Sequence, residues 1–158
     1  EDYPKNKISV EIDEILKVLE DPDLMNQANA KAELNSSYLQ YDDSRHSIVI
    51  VIPRDGTDVN YLKTIISDFH SKNYPNDIYE ISAMLLGKDQ HLVTIKSFEN
   101  KTLTISYYNS INNNSNVIKE LAKYDYKIMA IAIENFSEFY KNKDVKGYNT
   151  FFNKNYLK

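Results

Sequence analysis

A chain of 158 residues is long enough for one hydrophobic core with an appendage, and a composition of 42% apolar and 27% charged residues excludes wholesale disorder. No apolar run approaches the roughly 18 residues of a membrane-spanning helix, and the absence of cysteine excludes a disulfide framework, thiol catalysis and cysteine-ligated zinc. A net charge of −4 argues against a nucleic-acid binder, whose phosphate contacts need basic side chains.

The charge is uneven: eleven acidic and five basic residues run up to Arg45, against twelve and fourteen after it. That shift predicts a boundary near Arg45. The chain opens at Glu1 without an initiator Met or a signal peptide and reads as a piece of something longer. In residues 1–20, Ile8, Ile12, Ile15, Leu16 and Leu19 follow the spacing of an amphipathic helix that Pro22 ends. An apolar stripe without a local partner fits the terminal helix of a helical repeat array better than an isolated surface helix. Residues 21–45 are polar and rich in Asn, Asp, Ser and Ala. They read as a linker, more a solvated tether than a docked segment despite Tyr38, Leu39 and Tyr41.

From His46 to residue 158 the pattern sharpens into one α+β domain. HSIVIVIP is a continuous β-branched run, expected of a central strand covered on both faces. Asp58 precedes a helix opening at Val59, whose Leu62, Ile65, Ile66 and Phe69 share one face, and Pro75 and Asn76 close it. YEISAMLLG and HLVTIKSFE are separated by Lys88, Asp89 and Gln90, the length of a hairpin. Asn100 caps a second helix opening at Lys101, VIKELAKY adds a helical turn, and KIMAIAIEN is a fourth strand. The tail is helical from Phe136 and interrupted near Asp144.

This order describes a ferredoxin-like split βαββαβ sandwich: a four-stranded antiparallel sheet with an extra C-terminal helix, preceded by an N-terminal helix and a linker. Both crossover helices belong on one sheet face, with the first and third strands side by side. The other face is bare unless the aromatic tail covers it, and burying each Phe or Tyr there is worth roughly 1.5–3 kcal/mol.

Catalytic signatures are missing from the sequence, and no catalytic residue, metal ligand or cofactor is expected. His46, His70 and His91 lack metal-ligand spacing, although His46 and His91 begin neighbouring strands and could approach each other. Asp42, Asp43, Asp55 and Asp58 read as linker and turn residues, since no calcium-loop spacing is present. The βαββαβ order is also that of RNA-recognition domains. Here, however, the first strand has no aromatic residue and the third offers only Phe98, so nucleic acid is not an expected partner. Tyrosine is abundant, at 13 residues. Tyr107, Tyr108, Tyr124 and Tyr126, with Phe139, Tyr140 and Tyr148 of the tail, form the candidate interaction surface. The competing reading places each ring at the edge of the core.

Two stretches carry a family likeness. HLVTIKSFENKTLTISYYNSI and IAIENFSEFYKNKDVKGYNTFFNKNY, with the IVIVIP strand and the VNYLKTIISDFH helix, resemble the C-terminal domain of Bacteroidetes tetratricopeptide-repeat lipoproteins of the PorW/SprE type. YPKNKISVEIDEILKVL is similar to the last helix of such a repeat array. The resemblance implies a non-enzymatic protein-interaction domain of an outer-membrane lipoprotein facing the periplasm, in support of type IX secretion or gliding motility. It implies as partners the other subunits of that envelope complex, with membrane attachment only through a lipid anchor outside this fragment. A looser likeness, carried by KSFENK at 96–101, is to SPOR domains, which implies peptidoglycan binding as the alternative function. Ser97 and Thr104 stand where SPOR domains have Gly and Ala.

Overall fold

The computed structural model describes residues 37–157. The helix expected over 1–20 and most of the expected linker lie outside the described residues. The described chain runs β1 (His46–Pro53), α1 (Val59–Asn73), β2 (Glu80–Leu86), β3 (Gln90–Phe98), α2 (Lys101–Asn112), α3 (Ser115–Leu121), β4 (Lys127–Ala132), α4 (Ile133–Asn142) and α5 (Val145–Tyr156).

Four of the helices start where a short polar side chain can take an orphan amide. Asp58, Asn100, Asn114 and Asp144 accept from the backbone N–H of Tyr61, Leu103, Val117 and Gly147. Such a cap contributes about 1 kcal/mol. A Cβ at Gly147 would meet the Asp144 carboxylate, so a larger residue there would displace the cap.

The sheet order is β2-β3-β1-β4 and every neighbouring pair is antiparallel, as a split βαββαβ fold requires. Residues opposite one another share a face, so Ile48 stands with Ile95 and Ala130, and Ile50 with Val93 and Ile128. Right-handed crossovers place α1 and α2 on this side. There Phe69 and His70 of α1 pack against Tyr107 of α2, which in turn touches Tyr79 and Phe98.

The opposite face carries Val49, Val51, Leu92, Met129 and Ile131, all of them buried. Its cover is α4. This helix leaves β4 at one edge and ends over the β2–β3 turn at the other, where the Tyr140 hydroxyl donates to the Leu85 carbonyl at 3.3 Å. Its ten residues make a rod of about 15 Å, matching the roughly 14 Å between outer strands of a four-stranded sheet. Lys143 then takes a left-handed conformation and turns the chain. Its side chain lies beside Gly87, whose φ of +69° supplies the hairpin turn.

α5 returns along the free edge of β4. The Tyr148 hydroxyl donates to the Ala130 carbonyl at 2.6 Å, Phe152 packs against Tyr108 of α2, and the Tyr156 hydroxyl meets His46 Nε2 at 2.8 Å. His46 Nδ1 faces the Ser44 carbonyl at 2.7 Å. A carbonyl can only accept, so Nδ1 carries the proton and Nε2 accepts from Tyr156. The aromatic tail thus divides its work: α4 shields the second face and α5 closes an edge.

Three local expectations are corrected. The last residues of the supposed linker are docked: Tyr38 is buried against Tyr148 and Phe151, and the Asn135 side chain clasps both the N–H and the carbonyl of Leu39. Two exposed-looking tyrosines in a polar run carry no periodicity, so this seam is invisible without the tail that forms it. His46 and His91 do not approach each other. Antiparallel neighbours start at opposite ends, so His46 pairs with Phe98 while His91 pairs with Ile52. The tail helix opens at Ile133 rather than Phe136, because the chain leaves the sheet after Ala132 even though Ile133 prolongs the apolar run.

Candidate interaction surface

The proposed surface aromatic residues separate into two groups. Tyr107, Phe139 and Tyr148 are core residues, and Tyr107 and Tyr148 retain 1% and 0% exposure. This correction has a chemical reason. A tyrosine can be buried whole when its hydroxyl finds a partner, and Tyr107 meets His70 Nε2 at 2.5 Å while Tyr148 meets the Ala130 carbonyl. Neither partner is adjacent in sequence. Burial pushes both phenols well above their usual range and lowers the His70 imidazole, so the Tyr107–His70 pair is neutral at neutral pH.

Tyr108, Tyr124 and Tyr126 are half-buried, and Tyr140 is exposed beside the β2 edge, stacked on Phe136. Tyr126 lies near enough to Tyr108 to add to the upward shift that burial gives that phenol. Tyr140 is on the α4 side of the sheet, away from α2, so the four do not form one patch.

A hollow of about 330 Å³ opens where the Tyr74–Tyr79 loop meets the end of β3 and the start of α2. Tyr74, Tyr79, Phe98 and Tyr107 form its floor, Asp77 and Glu99 contribute carboxylates, and Ile78 and Leu103 stand at its rim. Ile78 is 96% exposed. A groove of about 420 Å³ between α1 and α3 mixes signs, with Asp68 and Glu120 among Lys72, Lys119 and Lys123. Its Glu120 is already paired with Lys123 at 2.6 Å. The hollow was missed in the sequence because Ile78 is a lone apolar residue in a turn, after Pro75, Asn76 and Asp77. That placement is the only signal it gives.

Neither concavity converges a nucleophile, a base and an orienting group. Burial alone accounts for the His70 shift, and no charged group adds to it. No cluster of three or more His, Asp or Glu side chains able to hold a metal ion occurs among the described residues. Of the four acids noted in the sequence, Asp42 pairs with Lys101 at 3.3 Å and Asp58 caps α1. No helix among the described residues is long and apolar enough to cross a membrane.

No protein-family model, curated protein or solved structure matches the chain.

Proposed function

We propose that residues 37–157 form a non-catalytic protein-interaction domain whose docking site is the aromatic hollow with its rim of Ile78 and Leu103. The observation that carries this reading is Ile78, an isoleucine held almost wholly in solvent beside an aromatic floor. An apolar side chain presented in this way gains by being covered, and aromatic side chains are enriched at the buried centres of protein interfaces. The Asp77 and Glu99 carboxylates at the same hollow favour a partner segment that brings a basic residue.

The resemblance to C-terminal domains of repeat lipoproteins supplies the setting. In this proposal the domain belongs to a lipid-anchored protein of the periplasm and joins subunits of a secretion or motility complex. Peptidoglycan binding would need a different surface from the sheet that SPOR domains use, since Val49, Val51, Met129 and Ile131 lie under α4 here.

Co-purification from the native envelope tests the reading. The full chain is expected to retain envelope-complex subunits, and I78E with L103E to lose at least tenfold of that capture while keeping its circular dichroism. Equal capture by the variant would overturn the site. Retention of wild type and variant alike on sacculi stripped of stem peptides would replace the reading with glycan binding.

A further inference from the structure

Hydrogen-bond parity fixes which backbone groups of β2 face outward. Ile133 N–H donates to the Arg45 carbonyl, so odd residues of β1 bond β4; Arg54 N–H donates to the Asp89 carbonyl, so even residues bond β3. Carried across β3 by its register, even residues of β2 bond β3, while Ile81, Ala83 and Leu85 turn their N–H and carbonyl groups away from the sheet. The Tyr140 hydroxyl bonded to the Leu85 carbonyl from outside agrees with this assignment.

Such an edge is a template for another strand, and proteins usually guard it with Lys, Pro or a bulge. β2 has none of these: it reads Glu-Ile-Ser-Ala-Met-Leu-Leu and pairs with β3 without a break. Ala83 and Leu85 are exposed.

We infer that this edge pairs with β2 of a second copy of the chain, antiparallel and centred on Ala83, to give a continuous eight-stranded sheet. The sequence matches itself about that point. Ala83 is the midpoint of the seven-residue strand, a two-fold axis there sets Ile81 opposite the second copy's Leu85, and every outward N–H meets a carbonyl. Glu80 falls opposite an apolar Leu86, and the two copies' Glu80 residues stand about 20 Å apart, so no like charges meet. Self-complementarity of this kind is what an isologous interface demands. Tyr140 need not move, because a carbonyl oxygen accepts two hydrogen bonds.

Seven paired residues bury less than the usual stable interface of about 1,600 Å², so the dimer should depend on concentration. Sedimentation of the full chain from about 10 μM to about 1 mM is expected to show monomer converting to dimer. A83K and A83E, each setting like charges opposite each other on the axis, should both remain monomeric, and an equimolar mixture should dimerise again. A monomer at every wild-type concentration would overturn the inference, as would dimerisation of A83K like wild type or a mixture that stays monomeric. Amide exchange of the wild type gives a check independent of these variants. The Ile81, Ala83 and Leu85 amides should gain at least tenfold protection in the dimer, whereas a dimer that leaves them unprotected pairs elsewhere.

Discussion

The two edges of the sheet receive opposite treatment from the same tail. At β4, α5 lies alongside, Tyr148 bonds the outward Ala130 carbonyl, and Phe152 and Tyr156 reach α2 and His46. At β2 the tail arrives only as the end of α4, and Tyr140 touches one carbonyl at 3.3 Å. The sequences differ to suit. β4 sets small Ala130 and Ala132 where the helix must approach closely, while β2 leaves Ala83 and Leu85 uncovered. An edge strand becomes part of a core when a helix packs along it and meets its outward groups, and stays open where only one carbonyl is met.

The largest loss is expected at Tyr148. Replacing it with Ala empties a fully buried site and should cost about 3–5 kcal/mol in urea unfolding. Tyr148→Phe keeps the ring but orphans the Ala130 carbonyl, for a cost of about 1–3 kcal/mol. Equal losses from the two variants would show that the hydroxyl matters more than the ring.

Acid should loosen the closed edge with a defined sign. Burial lowers the pKa of His46 below the 6.5 of a free imidazole, so the unfolded chain binds this proton more readily than the folded one. Stability therefore rises with pH through this window and is lost as pH falls below about 6.5. His70, lowered by burial as well, acts in the same direction. Protonated His46 can no longer accept from the Tyr156 hydroxyl, so the hydrogen bond that holds α5 to β1 must break or reverse. The urea midpoint should drop between pH 7 and pH 5, and H46Q should flatten part of that slope.

What the sequence discloses follows from how locally each feature is encoded. Strand and helix order, the caps Asp58 and Asn100, and the hairpin at Gly87 rest on neighbours a few residues apart, and all are legible. The partnership of the bare sheet face with the aromatic tail is legible too, because only two large apolar surfaces need matching. Residues that matter through distant contacts escape: Tyr38 finds Tyr148 across 110 positions, and Tyr107 finds His70 across 37. The burial of Tyr107 and Tyr148 escapes for the same reason, since abundance of tyrosine does not say which hydroxyls have buried acceptors. Ile78 and the open edge at Ala83 emerge only once the turn and the register are fixed.

One pair of substitutions tests the difference between the edges directly. Ala83 and Ala130 occupy equivalent backbone positions, each turning its N–H away from its neighbouring strand, and they differ only in what lies beyond. With dilute monomer, Ala83→Pro should stay within about 1 kcal/mol of wild type, while Ala130→Pro, driven against α5, should lose about 3 kcal/mol. Similar losses at both positions would mean that β2 is as enclosed as β4, contradicting the account.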